Sequence, residues 1–325
     1  MTGDSLAAPQ QMAATESLGF LGDTIAGLSS DPPTLPCKYF YDDRGAALFQ
    51  KICELPEYYI TRTEIDILDR NRAEIASQLG PNIQLIGLGT GAGTKTRILI
   101  EALESPAVYI PVDISEKQLR ESTVLFQKIF ADLEILPVCA DYLQAVVLPS
   151  PGHKSARKIV YFPGSTIGNF EPKEAIGFLR RVANVCRGDG GLLIGVDLKK
   201  EERVLEAAYN DRAGVTAQFN LNLMERINRE LGADFDLTQW RHRATYNSKA
   251  GRIEMYLISE IDQFAHVDEH KFHFRRGEKI ITEFSYKYAP QEFAALAGKA
   301  GFDFVRMWTD EACLFGIFYF SCSAG

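Results

Sequence analysis

Short apolar runs alternate along most of the chain with stretches whose apolar residues recur at helical spacing. The apolar runs predict strands over residues 83–88, 108–113, 136–142, 158–162 and 192–197. The stretches before and between them predict helices over residues 63–79, 95–103, 116–133 and 172–186. Strands that alternate with helices form parallel sheets. The pattern therefore predicts an α/β fold with a mostly parallel sheet.

A different pattern begins near residue 201. Residues 201–232 predict helices, whereas residues 252–260 and 271–288 predict strands, the first of them alternating polar and apolar side chains. We interpret this region as an insertion that packs with the N-terminal segment. The α/β pattern then returns with a helix over residues 290–300 and two strands that form a hairpin. That finish is usual in class I methyltransferase sheets and unusual in dehydrogenase sheets.

These patterns predict two domains. The larger comprises residues 61–200 and 288–325, and the smaller, of α+β type, comprises residues 17–60 and 201–287. Residues 1–16, rich in Ala, Gln, Thr and Ser, are expected to form a flexible arm.

Composition narrows the choice of partners. The formal net charge is -8 over 325 residues, and no basic run occurs, which argues against a nucleic-acid partner. Six cysteines are scattered without a C-x-x-C pair or a His cluster, so we expect reduced thiols and no metal site. No apolar run approaches about 18 residues and no leader pattern is present, which predicts a cytoplasmic protein without a membrane span. No heptad repeat is visible, so a monomer is the default expectation.

The first predicted strand leads into a glycine-rich turn, Gly87-Leu88-Gly89-Thr90-Gly91-Ala92-Gly93-Thr94-Lys95-Thr96. A phosphate loop requires Gly directly before Lys-Ser/Thr, and Thr94 occupies that place. A dinucleotide fingerprint requires G-x-G-x-x-G, whereas these glycines are spaced by twos. The spacing suits the loop of S-adenosylmethionine (SAM) methyltransferases better, although a glycine turn without a ligand is the alternative.

Acids at the ends of the next two strands add support for a nucleoside site. Asp113 is our candidate for binding the ribose hydroxyls, and Asp141 with Tyr142 for the adenine amino group and ring. A single acid at a strand end is more often a helix cap or turn residue. After the fourth strand, the turn over residues 163–170 contains Asn169, which can offer a side-chain carbonyl to a substrate amine or can simply form the turn.

The segment before the first strand is unusually aromatic, with Tyr41, Phe49 and Tyr58 among its members. Such a cluster is usually ordinary core or a cap over a sheet. The functional alternative is a lid that offers aromatic faces to a cationic substrate.

Longer blocks carry a more specific signal. They are Tyr39-Phe40-Tyr41-Asp42, Leu55-Pro56-Glu57-Tyr58-Tyr59-x-Thr61-Arg62-Thr63-Glu64, Gly164-Ser165-Thr166-Ile167-Gly168-Asn169, Tyr209-Asn210-Asp211-x-Ala213-Gly214-Val215-Thr216-Ala217-x-Phe219-Asn220 and Thr282-Glu283-x-Ser285. From about residue 30 onward the chain resembles the histidine-specific SAM-dependent methyltransferases of ergothioneine biosynthesis. The resemblance implies a class I, Rossmann-like SAM-binding domain, a smaller substrate-binding domain, and trimethylation of the α-amine of L-histidine to hercynine.

The resemblance also assigns roles to residues. It implies that Glu283 and Ser285 bind the imidazole, and that the amine and carboxylate are held by Tyr58, Gly164, Asn169 and Tyr209. Among these, Tyr58, Asn169 and Tyr209 are the candidates for catalysis. Tyr41, Phe49 and Met255 would complete the substrate wall. The implied cofactor residues are Gly89, Lys95, Asp113, Asp141 and Tyr142.

One position departs from the family pattern. The family usually begins its glycine motif with an acid, and this chain has Gly87 there. The departure bears on cofactor affinity more than on substrate identity.

Three other functions stay open at this point: methylation of another amino acid or small amine, a non-catalytic ligand-binding protein, and, least favoured, a nicotinamide dehydrogenase.

Overall fold

The computed structural model describes residues 19–91, 93–144, 146–152 and 157–322, so the predicted arm over residues 1–16 lies outside the described residues. The chain forms two compact units. The first unit contains the described residues up to Tyr58 together with Glu201–Phe284, and the second contains Tyr59–Lys200 together with the described residues from Ser285 onward. These divisions fall close to residues 60/61 and 287/288, where the sequence pattern places the domain boundaries.

The second unit is built on a twisted sheet. Its strands are β1 (Gln84–Leu88), β2 (Val108–Asp113), β3 (Glu134–Ile135), β4 (Val138–Cys139), β5 (Lys158–Phe162), β6 (Gly191–Asp197), β12 (Phe302–Thr309) and β13 (Phe315–Cys322). The spatial order is β12-β13-β6-β5-β1-β2-β3, with β4 also paired to β2. The strands from β3 to β6 run parallel, and β13 is antiparallel to both of its neighbours. The sheet is mostly parallel and ends in an antiparallel hairpin, as the sequence pattern predicts.

Helices cover the sheet of the second unit. They are α3 (Tyr59–Leu79), α4 (Thr94–Ala102), α5 (Glu116–Ile129), α6 (Pro172–Val185) and α9 (Pro290–Gly298). Strands β1 and β6 are buried along their whole length, which explains their continuous apolar runs. The predicted long strand over residues 136–142 was wrong, because only two-residue pairings form on either side of Pro137. Proline has no N–H to donate to a strand ladder.

The first unit is α+β. Its helices are α1 (residues 19–28), α2 (Asp43–Glu54), α7 (Glu202–Tyr209) and α8 (Val215–Leu231). Its strands are β7 (Trp240–Asn247), β8 (Arg252–Ser259), β9 (Gln263–Val267), β10 (His270–Phe274) and β11 (Lys279–Tyr286), whose last two residues belong to the second unit. Strands β11, β8 and β7 form one sheet in that order, and β9 and β10 form a separate hairpin.

A half-buried helix cap connects the two segments of the first unit. Asp42 begins α2 by accepting from the Gly45 N–H at 2.7 Å, and its carboxylate also accepts from Asn222 at 2.8 Å and Arg229 at 2.6 Å, both on α8. Burial opposes ionisation, yet these hydrogen bonds keep the pKa of Asp42 below its usual value. Among the described residues, no helix is both long and apolar enough to cross a membrane.

Candidate active site

The glycine loop joins β1 to α4 in the second unit. Gly89 and Gly91 both have a φ of 56°, in the left-handed region where a side chain is strained. Gly93 caps α4 with a φ of 79°, and a Cβ there would stand 2.5 Å from the Phe126 ring. Gly89 and Gly91 therefore shape the turn, whereas Gly93 also allows close packing against α5.

Side chains of the second unit fill the space beside Gly87. A Cβ at this position would lie 2.7 Å from the Thr90 methyl and 3.1 Å from the Tyr109 ring. The hydroxyls of Thr90 and Tyr109 are hydrogen bonded at 3.1 Å. A larger residue at position 87 would have to displace this pair, so the glycine is matched to its surroundings.

The predicted nucleoside-binding acids lie at the end of β2 and after β4. Asp113 is half-buried at the end of β2, and burial raises its pKa although it accepts from the Ser115 N–H at 2.9 Å. Asp141 lies in the turn after β4 and accepts from the Leu143 N–H at 2.8 Å, so one of its oxygens shapes that turn. The Tyr142 ring lies 3.3 Å from where a Cβ of Gly89 would stand, which places this aromatic face beside the glycine loop.

Lys95 is held by an acid that sequence reasoning did not assign to the site. Its ammonium lies 2.6 Å from the Glu64 carboxylate, whose side chain is fully buried. Both Glu64 oxygens also accept from the Gly164 N–H, at 3.1 and 2.9 Å. A Cβ at Gly195 on β6 would overlap this carboxylate, so the glycine makes room for it. Glu64 therefore fixes Lys95 and the turn after β5 together.

The turn after β5 lies beside the end of β11. Gly164 has a φ of 80°, and half-buried Asn169 ends the short 3-10 helix Thr166–Asn169. A Cβ at Gly168 would stand 2.7 Å from the Tyr286 carbonyl, one residue beyond buried Ser285. The structure thus brings the predicted residues Gly164, Asn169 and Ser285 to the carboxyl edge of the sheet, where ligands of open α/β sheets bind.

A charged network is buried at the same edge. Asp197 ends β6 and pairs with Lys287 at 2.7 Å and with Lys200 on its other oxygen. The Tyr59 hydroxyl donates to the same carboxylate at 2.7 Å. Burial works against the charge on Asp197, but the two lysines keep its pKa low. Burial lowers the pKa of Lys200 to about 8, against the attraction of Asp197.

The first unit gathers four predicted substrate residues into one aromatic cluster, Tyr41, Phe49, Tyr58 and Tyr209. Ring centroids are 5.6 Å apart for Tyr41 and Phe49, 6.2 Å for Phe49 and Tyr58, and 6.2 Å for Tyr58 and Tyr209. All three pairs meet edge to face, a favourable aromatic geometry. Tyr41 is 38% exposed, so the cluster reaches the surface of the unit.

Glu283 lies within electrostatic range of this cluster. Burial raises the pKa of Tyr58 well above its usual value, and the charges of Tyr209 and Glu283 add to the rise. Tyr58 is therefore a neutral phenol near pH 7, able to donate one hydrogen bond and to accept others. Met255 lies on β8, the neighbour of β11 that carries Glu283, and is 1% exposed, so it supports the wall from within the core.

The backbone of Tyr209 is held from β7. The Asn220 amide donates to Nδ1 of His242 at 2.8 Å, so the other ring nitrogen, Nε2, carries the proton and donates to the Tyr209 carbonyl at 2.8 Å. Burial lowers the pKa of His242 from its usual 6.5, although the Tyr209 carbonyl opposes the shift. Asn210 exchanges two hydrogen bonds with the Ala244 backbone. These contacts hold the Tyr209-Asn210 segment against β7.

The predicted site residues thus divide between the units. The first unit holds Tyr41, Phe49, Tyr58, Tyr209, Met255 and Glu283, and the second holds Gly164, Asn169, Ser285 and the five cofactor residues. Glu64 was missed, although an acid at helical spacing from the buried residues Ile60 and Leu68 is a signal that the sequence carries. Burying a carboxylate needs a partner, so an acid on an apolar helix face indicates a fixed cation.

Comparison with known proteins gives consistent matches. The family described as histidine-specific methyltransferase, SAM-dependent, matches residues 20–322. Histidine N-alpha-methyltransferase of Mycobacterium tuberculosis is 40% identical over 301 residues, covering 91% of this chain and 92% of that protein. Ergothioneine biosynthesis protein 1 of Neurospora crassa is 30% identical over 285 residues, covering 86% of this chain and 32% of that protein. A 4-dimethylallyltryptophan N-methyltransferase of Claviceps purpurea is 26% identical over 314 residues, covering 89% of this chain and 91% of that protein.

Proposed function

Because the chain belongs to the histidine-specific, SAM-dependent methyltransferase family, we propose that it methylates the α-amine of L-histidine three times and yields hercynine for ergothioneine biosynthesis. The observation that carries the proposal is the aromatic cluster of the first unit with the Glu283 charge beside it. Aromatic faces suit an amine that becomes a fixed cation, and a carboxylate suits an imidazole N–H.

The second unit contains groups that fit the cofactor. A loop with glycines at positive φ lies between β1 and α4, a half-buried carboxylate ends β2, and the Tyr142 ring lies beside the loop. We assign the ribose of SAM to Asp113, the adenine to Asp141 and Tyr142, and the charged amino-acid end to Gly89 and Lys95. When bound, SAM supplies an activated methyl group on a sulfonium, so the protein needs no nucleophile of its own.

The substrate amine must present its lone pair for transfer. An α-amine has a pKa of about 8, so a large share of it is protonated near neutral pH. The Asn169 carbonyl and the hydroxyls of Tyr58 and Tyr209 are the acceptors that we propose for the amine hydrogens. Tyr58 is not the base, because its raised pKa keeps the phenol neutral. We assign the proton's exit to a water relay.

Recognition of histidine is assigned to Glu283 and Ser285. The two residues lie two positions apart on β11, so their side chains leave the strand on the same face. A polar pair of this kind rejects Leu or Phe, because an apolar side chain would leave both groups unpaired at a cost of about 1–3 kcal/mol each.

A labelling experiment tests the proposal. The protein is incubated with SAM carrying a deuterated methyl group and an equimolar mixture of the twenty amino acids, and the products are identified by mass spectrometry. We expect three labelled methyl groups on histidine alone. Labelling of another amino acid would retain the reaction and overturn the substrate. No labelling, together with calorimetry that shows histidine binding without SAM binding, would indicate a non-catalytic relative.

A further inference from the structure

Three connections join the two compact units, and they follow Tyr58, Lys200 and Phe284 in the chain. We call them the first, second and third connections. On the second unit they begin or end at Tyr59, Lys200 and Ser285. Close to these points, the second unit carries a phenol hydroxyl and two ammonium groups that belong to the buried network at the end of β6. The network therefore lies where the chain leaves and enters the second unit.

One carboxylate, that of Asp197, contacts a side chain beside every connection. Tyr59, the first residue after the first connection, donates its hydroxyl to the two oxygens at 2.7 and 2.9 Å. Lys200, the last residue before the second connection, donates to Oδ1 and also to the Tyr59 hydroxyl at 2.6 Å. Lys287 follows the third connection closely and lies 2.7 Å from Oδ2. All these side chains belong to the second unit.

Asp197 is itself held firmly by the sheet. It ends β6, an interior strand, and pairs with Phe315 of β13. Its backbone N–H donates to the Ser165 hydroxyl at 2.8 Å, and its carbonyl accepts from the Tyr288 N–H at 3.2 Å. The carboxylate is therefore a fixed point to which residues beside all three connections are bonded.

The charges of this network do not suit a role in stability alone. Two ammonium groups face one carboxylate, and the exposed fraction of the side chain is 7% for Lys200 and 0% for Lys287 and Asp197. Burying ions is costly even when they are paired, and it often contributes no net stability. A carboxylate can accept several hydrogen bonds at once, whereas an asparagine has one acceptor oxygen. The arrangement therefore suits a group that joins several donors at one place.

We propose that Asp197 is a positioning residue that anchors all three connections to the interior of the sheet. The inference rests on the proposed function, whose residues belong partly to the first unit and partly to the second. Methyl transfer then needs both units, whereas the residues assigned to the cofactor belong to the second unit alone. Loss of the anchor should therefore slow methylation and leave cofactor affinity unchanged.

Two variants and a control test the anchor. Asp197→Asn weakens all three attachments, and Tyr59→Phe removes the hydroxyl beside the first connection. Arg157→Met is the matched control. Half-buried Arg157 bonds to the Asp189 carbonyl and the Tyr319 hydroxyl at the amino end of β5, whereas Asp197 lies at the carboxyl end of the neighbouring β6. Each protein is compared with wild type by hydrogen-exchange mass spectrometry, by kcat/KM for histidine and by calorimetric Kd for S-adenosylhomocysteine.

The expected result is a local loosening with slower turnover. In Asp197→Asn, peptides that cover the three connections should exchange about tenfold faster or more, because buried donors lose their charged acceptor. In Tyr59→Phe the increase should be largest at the first connection. Both variants should lower kcat/KM by about 10- to 100-fold, the range expected when reacting groups are misplaced. Peptides from β1 and the Kd should not change, and Arg157→Met should match wild type in all these measurements.

A double variant separates anchoring from global stability. Asp197→Asn removes a counter-charge from buried Lys287, whereas Asp197→Asn/Lys287→Met removes both charges and should regain stability in urea denaturation. Exchange at the first and second connections should nevertheless stay fast in the double variant. A return to the wild-type rate together with stability would overturn the inference, because the loosening would then reflect global unfolding.

The remaining outcomes also decide. Wild-type exchange at the connections in Asp197→Asn would overturn the inference. Should Asp197→Asn fail to fold, the conservative Tyr59→Phe decides instead, and wild-type exchange with wild-type kcat/KM would contradict the anchor. Wild type that does not methylate histidine would overturn the proposed function itself, and the exchange rates would still show whether Asp197 anchors the connections.

Discussion

Glu64 offers a quantitative test of how the cofactor side of the sheet is organised. In a Glu64→Gln variant the side chain keeps its size but has one acceptor oxygen and one amide donor group. The carboxylate now accepts from both the Lys95 ammonium and the Gly164 N–H. Because Oε2 accepts from both donors, a glutamine amide oxygen in its place can keep both hydrogen bonds, but the Lys95 ammonium loses its counter-charge.

The structure sets the expected magnitude. Breaking a fully buried ion pair costs about 3–5 kcal/mol, but the Lys95 side chain is 17% exposed and can recover part of its hydration. Each hydrogen bond to a charged acceptor contributes about 1.5–3 kcal/mol, against about 0.5–1.5 kcal/mol for a neutral acceptor, and two such bonds are weakened here. We therefore predict a loss of about 2–3 kcal/mol in the free energy of unfolding, measured by urea denaturation. Because the anchor shared by Lys95 and Gly164 loses its charge, the calorimetric Kd for S-adenosylhomocysteine should rise about tenfold or more.

Glu74 on the same helix provides the control. Its ion pair with Arg306 is half exposed on both sides, so Glu74→Gln should cost less than about 1 kcal/mol and leave the Kd unchanged. Equal stability and equal Kd values for wild type and Glu64→Gln would refute the view that this carboxylate organises the site. A loss of stability without a change in Kd would limit its role to the fold.

Three further predictions follow from other contacts. Glu283→Ala should lower kcat/KM for histidine by about 5- to 150-fold, the factor expected from one lost polar partner, while the Kd for S-adenosylhomocysteine stays constant. Gly87→Ala should destabilise the protein by about 1–3 kcal/mol in urea denaturation, because the new methyl group would press on the Tyr109 ring, and equal stability would contradict that packing. His242 has a folded pKa below 6.5, so the unfolded chain takes up its proton first as the pH falls. The free energy of unfolding should therefore drop as the pH falls from about 6.5 through the folded pKa, and His242→Gln should lack this component.

Much of the fold could be predicted from the sequence because the pattern of hydrophobic residues is strongly periodic. The buried strands β1, β5 and β6 are continuous apolar runs, and the predicted bounds of β5 match those in the structure. Strand β7 was not predicted, since its charged and polar residues, Arg241, His242 and Arg243 among them, hide the strand period. In the structure, antiparallel pairing with β8 along its whole length stabilises this strand.

Long-range pairing limited the prediction of the candidate site. Local motifs singled out Asp113 as a candidate, and the family resemblance singled out Tyr58 and Glu283. They were not enough to connect Glu64 with Lys95, or Asp197 with Lys287, because each pair joins distant parts of the chain through a buried contact. Local sequence patterns indicate secondary structure, whereas the tertiary fold determines the partner of a buried charge.

The place of β13 in the sheet has a consequence for synthesis on the ribosome. This strand, residues 315–322, lies between β6 and β12 in the sheet. The ribosome therefore synthesises an interior strand of the sheet after all the other strands. Until then β6, which is buried along its whole length in the folded sheet, presents an unpaired edge. A nascent chain stopped before Phe315 should therefore be a target for chaperones and a source of aggregates, and a fluorescent reporter of folding should respond only after this strand leaves the exit tunnel.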